Sequence, residues 1–255
     1  LSLSFNLIFP SYFKLFNFAL NSAIYSYFYT ILYNIYFDFV TLFCFICPYN
    51  ITTSKMFNRK LHKELNEWKK RSDRKPLIIR GARQVGKTTL VELFAKNFTQ
   101  YIYLNIEQIS DKKIFEDSVD FEETIDAIFF LKNASKSIKD TLIFIDEIQN
   151  SPQAISSLRY FYESKNNFYV IAAGSLLEAV INDSSSFPVG RVEFLALHPV
   201  SFQEFIFASG EKNILDAYNV TPFPNYAFGR LNEFYKIYSL IGGMPEVINN
   251  YLTEK

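Results

Sequence analysis

The sequence has no excess of charge of either sign, and it has very little cysteine. Lys+Arg and Asp+Glu each number 26, so the formal net charge is zero. This balance excludes a chain-wide basic footprint of the kind that nucleic-acid-binding domains show. The only cysteines are Cys44 and Cys47, so a disulfide framework is excluded. A structural zinc site needs four ligands, and no second cysteine pair is present to complete one.

Charge is nearly absent from residues 1–54, where Lys14 and Asp38 are the only charged side chains. The uncharged run at 15–37 exceeds the roughly 20 residues that a transmembrane helix needs. The run is too long for a secretory signal peptide, and no small-residue cleavage site follows it. Its crowding with Phe, Tyr, Leu and Ile is also what T-rich DNA encodes when it is read through.

Three interpretations of residues 1–55 therefore compete: translated upstream sequence, a transmembrane anchor, and a soluble helix. The first methionine is Met56, and from Lys55 onward the composition is that of an ordinary α/β protein. We prefer Met56 as the start, which makes residues 1–55 non-native and the protein cytoplasmic. The alternative is a membrane-anchored protein, and it depends wholly on the first 54 residues.

After residue 55, short apolar runs alternate with amphipathic stretches. This alternation predicts βαβ units and a mainly parallel sheet. Because the candidate strands are apolar nearly throughout, helices are expected on both faces, giving a three-layer α/β sandwich. A capping box at Ser201–Glu204 predicts that a further helix begins there. The candidate strands are 77–80, 101–106, 141–146, 168–175 and 191–197.

Between the first candidate strand and the next helix lies GARQVGKTT, residues 81–89. It satisfies G-x-x-x-x-G-K-[ST] without a mismatch, in the strand–helix context that this motif requires. Glycines let the backbone wrap around phosphates, and successive amides face the negative charge together with the helix N-terminus. The motif predicts a P-loop that binds ATP and Mg²⁺, with Arg83 structural or facing solvent. The predicted nucleotide-binding residues are Gly81, Ala82, Arg83, Gln84, Val85, Gly86, Lys87, Thr88 and Thr89.

Two acids, Asp146 and Glu147, end the apolar run at 141–146. An acid at the carboxyl end of a neighbouring strand is suited to hold Mg²⁺, so we predict Asp146 and Thr88 as metal ligands. Glu147 is predicted to orient or deprotonate a water that attacks the γ-phosphate. Small-molecule P-loop kinases need no such acid, and hydrolysis is therefore favoured over transfer to a metabolite.

Two further residues complete the predicted catalytic set. Ser175 ends the strand 168–175, where its hydroxyl is expected to hydrogen-bond the γ-phosphate or the attacking water, although Gly-Ser is also an ordinary turn. Arg191 follows Gly190, and its guanidinium is expected to stabilise charge on the γ-phosphate of its own or a neighbouring subunit. The alternative for Arg191 is an arginine paired at the surface.

Five segments taken together resemble the bacterial and archaeal AAA-type ATPases that carry a C-terminal domain of unknown function. They are GARQVGKTTLV, FIDEIQ, AAGSLL, GRVEFLALHPVSFQEF and GGMPEV. The resemblance implies an additional-strand P-loop core, in which another strand separates the acid-bearing strand from the P-loop strand. It implies Walker A roles for Lys87 and Thr88, Walker B roles for the acid pair, and a sensor role for Ser175. Residues 242–245 match a glycine-x-proline feature that lies near the adenine in related helical lids.

The resemblance begins near Met56 and divides the rest of the chain into a P-loop ATPase core at 56–200 and the beginning of a helical lid at 201–255. Family members usually continue into a sizeable C-terminal region, which we expect to be missing here. The expected function is ATP hydrolysis that drives a conformational switch. A nucleotide-dependent binding module with negligible hydrolysis is the alternative. Homo-oligomer formation and a protein or nucleic-acid partner are left open.

Overall fold

The computed structural model describes residues 59–164, 168–175 and 187–254. The predictions made for residues 1–58, including the cysteine pair, the transmembrane anchor and the start at Met56, lie outside these ranges. Within the three described ranges, no helix is both long and apolar enough to span a bilayer.

Five parallel strands form the sheet, as the alternating pattern predicts. Their order is β2-β3-β4-β1-β5, and every neighbouring pair is parallel. The strand that ends in Asp146 is therefore separated from the P-loop strand by one other strand, which confirms the predicted additional-strand fold. The strands are β1 (Leu77–Arg80), β2 (Gln100–Asn105), β3 (Thr141–Asp146), β4 (Tyr169–Gly174) and β5 (Glu193–Ala196).

Two of the helices packed on the sheet begin at a side-chain cap. Ser151 caps α5 by accepting a hydrogen bond from the Ala154 amide at 3.2 Å, with Pro152 at the first helical position. Asp120 caps α4 in the same way through the Glu123 amide at 2.8 Å. The bounds are α1 (Leu61–Lys70), α2 (Lys87–Ala95), α3 (Ile109–Asp117), α4 (Phe121–Leu131) and α5 (Pro152–Glu163), with a 3₁₀ turn at Ile148–Asn150.

Alternate strand residues feed two separate cores, one on each face of the sheet. In β1, Ile78 belongs to the core covered by α3, α4 and α5. Its neighbours Leu77 and Ile79 belong to the core covered by α1 and α2. All six residues of β3 are buried, which is why that strand reads as an uninterrupted apolar run. The predicted three-layer arrangement is confirmed.

Four more helices follow the sheet: α6 (Phe202–Ser209), α7 (Lys212–Tyr218), α8 (Asn225–Ile241) and α9 (Pro245–Thr253). The predicted capping box opens α6, with both of its reciprocal hydrogen bonds present. The division into 56–200 and 201–255 remains a prediction. These helices share an apolar core of Val200, Phe205, Ile206, Ile214, Ala217, Ala227, Leu231, Phe234 and Ile248.

Candidate functional site

The loop between β1 and α2 takes a path that two glycines make available. Gly86 has φ 88°, in the left-handed region that favours glycine. A Cβ on Gly81 would lie 2.3 Å from the Leu197 carbonyl oxygen, so no side chain fits there. The structure therefore needs glycine at the two positions that the motif specifies.

The polar groups of this loop suit an anion. In the described part of the chain, the backbone amides of residues 82–86 donate no hydrogen bond. Lys87 Nζ donates to the carbonyl oxygens of Gly81 at 2.9 Å and Ala82 at 2.8 Å. Burial lowers the pKa of Lys87, and the nearby carboxylates Glu147 and Asp146 partly oppose that effect. Free amides around a buried lysine fit the phosphates of a nucleotide.

Asp146 lies beside Thr88, although 58 residues separate them in sequence. Thr88 Oγ1 donates to Asp146 Oδ2 at 2.7 Å, and the Glu147 amide donates to Asp146 Oδ1 at 3.0 Å. Burial raises the pKa of Asp146 despite these hydrogen bonds. A hydroxyl and a carboxylate are the oxygen ligands that Mg²⁺ prefers when substrate phosphates and water complete its shell, so this pair fits the ion. In the described ranges, no group of three His, Cys, Asp or Glu side chains forms a metal site.

Tyr103 contacts the same carboxylate and is a residue that the sequence analysis missed. Its hydroxyl donates to Asp146 Oδ2 at 3.4 Å. Burial and the charge of Asp146 raise the pKa of Tyr103 to about 12. The contact follows from the register of β2 on β3, which pairs Tyr103 with Phe144, two residues before the acid. Only knowledge of that strand pairing would have revealed it.

Glu147 adopts an unusual backbone conformation for a glutamate. Its φ of 52° and ψ of 40° place it in the left-handed region, which side-chain-bearing residues adopt at a cost. Its carboxylate accepts a hydrogen bond from Gln149 Nε2 at 2.6 Å. Gln149 was not predicted as a site residue, and its spacing alone carries no signal. The left-handed backbone at Glu147 sets the direction of its side chain, and Gln149 already holds the carboxylate by a hydrogen bond.

Ser175 directly follows β4, the strand between β1 and β3. It therefore lies at the same edge of the sheet as the P-loop and the two acids. Its Oγ is buried and has no hydrogen-bond partner within the described ranges. A buried hydroxyl without a partner is costly, which makes Ser175 available to a ligand.

Arg191 lies at the opposite edge of the sheet. Leu77 pairs with Glu193 at the start of the parallel strands β1 and β5, and Arg191 precedes that pair. The four residues of β1 separate it from the P-loop by about 13 Å. Its Nε donates to Glu163 Oε1 at 3.1 Å. The structure thus places Arg191 away from its own P-loop, and its role toward the γ-phosphate, in its own or a neighbouring subunit, remains a prediction.

The remaining predicted residues lie around the loop. The Arg83 side chain is 77% exposed and forms a 4.0 Å ion pair with Glu107. Pro245, the first residue of α9, has its Cγ 3.8 Å from the position that a Cβ on Gly86 would occupy. Pro245, in the segment 242–245, therefore lies close to the P-loop.

Several solved structures are similar to this chain. The Walker-type ATPase PABY2304 of Pyrococcus abyssi is 18% identical, with TM-score 0.50, over 78% of this chain and 67% of that chain. The Drosophila ORC bound to DNA is 16% identical, with TM-score 0.48, over 75% and 58%. The ORC2 protein of Aeropyrum pernix, in ADPNP–ADP complexes, is 15% identical, with TM-score 0.41, over 66% and 52%. The chain thus spans between about half and two thirds of the length of these proteins.

No curated protein sequence matches the chain. A family model described as an AAA domain matches residues 73–206, which is more than half of the chain. The matched region contains the P-loop, the acid pair and all five strands. The chain therefore belongs to the AAA domain family of P-loop ATPases.

Proposed function

We propose that the protein binds Mg·ATP at residues 81–89 and hydrolyses it, and that hydrolysis drives a conformational switch. The observation that carries this proposal is the convergence of unpaired loop amides, Lys87, and the Thr88–Asp146 pair at one edge of the sheet. In this arrangement the amides and Lys87 bind the phosphates, while Thr88 and Asp146 hold the magnesium ion. The ion, when bound, neutralises charge on the β- and γ-phosphate oxygens.

Glu147 acts as the general base in this proposal. It accepts a proton from the attacking water as the bond between the γ-phosphorus and the bridging oxygen breaks, leaving ADP and inorganic phosphate. Ser175 supplies a hydrogen bond to the γ-phosphate or to that water from its hydroxyl, which has no partner among the described residues. Because Arg191 lies at the other edge of the sheet, the proposal gives it no role in its own subunit.

A nucleotide-dependent switch with negligible hydrolysis is the second candidate function. The observation in its favour is that the Glu147 carboxylate already accepts a hydrogen bond from Gln149 Nε2 at 2.6 Å. The contact of Pro245 with the P-loop would then report the nucleotide to the helices that follow β5. Cytoplasmic location, oligomeric state and the partner that reads the switch remain predictions from the sequence.

Glu147→Gln separates the two candidates. If Glu147 is the base, the variant binds ATP as wild type does, and its phosphate release falls by about a hundredfold or more. The measurement is steady-state phosphate release with Mg·ATP, alongside ATP binding by calorimetry. If wild type and variant both bind ATP and share the same background turnover, the protein is a switch and the hydrolase proposal is wrong.

A further inference from the structure

Arg59 is a buried cation that the proposed mechanism does not use. It lies just before α1 and is only 7% exposed. Its guanidinium donates to three different segments of the chain. Nε reaches Glu204 Oε1 at 3.2 Å, Nη1 reaches the Val85 carbonyl at 3.1 Å, and Nη2 reaches the His198 carbonyl. One of these three acceptors, Val85, lies inside the P-loop.

The hydrogen bond to Val85 acts on the next amide as well. The carbonyl of Val85 and the amide of Gly86 belong to one planar trans peptide unit, in which the C=O and N–H bonds point in opposite directions. An arginine that holds the carbonyl therefore fixes the direction of the Gly86 N–H. That amide is among those that donate no hydrogen bond in the described part of the chain. The positive charge of a guanidinium that is bonded to the carbonyl oxygen also polarises the peptide and strengthens its N–H as a donor.

Glu204 supplies the negative charge beside this guanidinium. The same carboxylate accepts the Lys60 amide at 3.0 Å and the Ser201 amide at 2.8 Å, so it is fixed by the backbone on both sides. Burial acts to raise the pKa of Glu204, but these amides and the charge of Arg59 together lower it below its ordinary value. The carboxylate therefore stays ionised at neutral pH and compensates the buried cation.

We propose that Arg59 is a positioning residue for phosphate binding, which orients and polarises the Val85–Gly86 peptide so that the Gly86 amide faces the nucleotide phosphates. Glu204 compensates the buried charge of Arg59, and the contact with Val85 is made by Arg59 alone. The inference rests on the proposed function, because it requires that the loop binds nucleotide. It assigns an effect on nucleotide affinity to a residue that lies outside the P-loop motif.

The test compares four variants of the full chain with wild type: Arg59→Met, Arg59→Lys, Glu204→Gln and Lys87→Ala. The dissociation constant for Mg·ADP is measured by calorimetry, well below the melting temperature of each variant, and the melting temperature is measured without nucleotide. Arg59→Met removes all three hydrogen bonds. Arg59→Lys keeps the charge beside Glu204 but lacks the fork that reaches three acceptors. Glu204→Gln leaves the Arg59–Val85 contact and is the matched control for a change in stability alone.

We expect both Arg59 variants to bind Mg·ADP about tenfold more weakly, the loss typical of one hydrogen bond to a charged group. The melting temperature should fall less in Arg59→Lys than in Arg59→Met, while the affinity for Mg·ADP should fall equally in both variants. Glu204→Gln should melt earlier yet bind within about twofold of wild type, since its Val85 contact is intact. Should Arg59→Met fail to fold, Arg59→Lys decides the question.

The outcomes that overturn the inference differ from those that overturn the proposed function. If Lys87→Ala loses Mg·ADP while both Arg59 variants bind like wild type, the loop binds nucleotide but Arg59 does not position it. If affinity falls in step with melting temperature across the Arg59 variants and Glu204→Gln, Arg59 is only structural. If wild type itself does not bind Mg·ADP, the proposed function and this inference both fail.

Discussion

At the amino edge of the sheet, where its parallel strands begin, charged side chains are paired with one another. At the carboxyl edge, where the strands end, the described residues include polar groups without a hydrogen-bond partner. Lys69 contacts Asp140 at 3.0 Å, just before β3. Arg191 contacts Glu163 at 3.1 Å, just before β5. At the carboxyl edge, by contrast, Ser175 Oγ is buried and has no partner within the described ranges.

Positive φ angles outside glycine occur at both edges. Gln84 and Glu147, at the carboxyl edge, have φ angles of 63° and 52°, and Asn133, in the loop that leads to β3, has a φ of 49°. Backbone strain therefore does not distinguish the two edges. A buried polar group without a partner costs on the order of 1–3 kcal/mol, and a fold keeps such groups where a ligand completes them. The Ser175 hydroxyl therefore supports the proposal that the nucleotide binds at the carboxyl edge.

The largest expected effect comes from removing the lysine of the carboxyl edge. Lys87→Ala should weaken Mg·ATP binding by about a hundredfold, because the variant loses its charge-assisted hydrogen bonds to the terminal phosphates. The matched control is Lys75→Ala at the amino edge, where Lys75 Nζ donates to the Gly190 carbonyl at 2.7 Å. Calorimetric titration of both variants checks the pair. Equal losses of Mg·ATP affinity in the two variants would contradict the claim that the carboxyl edge binds the nucleotide.

Smaller effects on the melting temperature, opposite in sign to each other, are expected for variants of two aspartates, one at each edge. Burial raises the pKa of Asp146, so ionisation at neutral pH costs folded-state stability, and Asp146→Asn should melt higher without nucleotide. Burial also acts on Asp140, but hydrogen bonds from Lys69 and Thr99 and the Lys69 charge lower its pKa. Ionised Asp140 therefore contributes stability at neutral pH, and Asp140→Asn should melt lower. Both shifts should be a few degrees at most.

The pH dependence of the two melting-temperature shifts distinguishes Asp146 from Asp140 further. Wild-type Asp146 becomes neutral as pH falls through its raised folded pKa, so the gain in Asp146→Asn should shrink before the ordinary carboxyl pKa of about 3.9 is reached. The stability from Asp140 is present above about 3.9 and is lost as pH falls through its lowered folded pKa, so the deficit in Asp140→Asn persists further into acid. Melting curves from pH 7 to pH 3 measure both. Shifts of the same sign for the two variants would contradict the account.

Much of the fold was predictable because its signals are local. An uninterrupted apolar run such as β3 indicates a strand covered on both faces, and the caps at Ser151 and Ser201 locate helix starts. Strands β1 and β3 match the predicted ranges, and the other three differ from them by one or two residues at each end. Helix α3 was missed because its buried apolar residues, Ile114 and Phe115, are too few for a clear helical repeat. The strand order came from the family resemblance.

The site was predictable only in part, because several of its contacts join distant segments. The P-loop and the acid pair are continuous in sequence and were found. Arg59, Tyr103 and Gln149 were missed, since nothing near them in sequence indicates which groups they contact. The position of Arg191 could have been predicted: a residue that precedes a strand of a parallel sheet lies at the amino edge, away from a loop that follows such a strand.

Hydrogen–deuterium exchange of the full chain tests the central claim most directly. Amides that donate no hydrogen bond exchange rapidly, and those that bind phosphate become protected. With millimolar Mg²⁺ and a non-hydrolysable ATP analogue, we predict slowed exchange at residues 82–90 and no change at residues 71–76 of the amino edge. Unchanged exchange at 82–90, or equal protection of both stretches, would contradict the claim that the carboxyl edge binds the nucleotide.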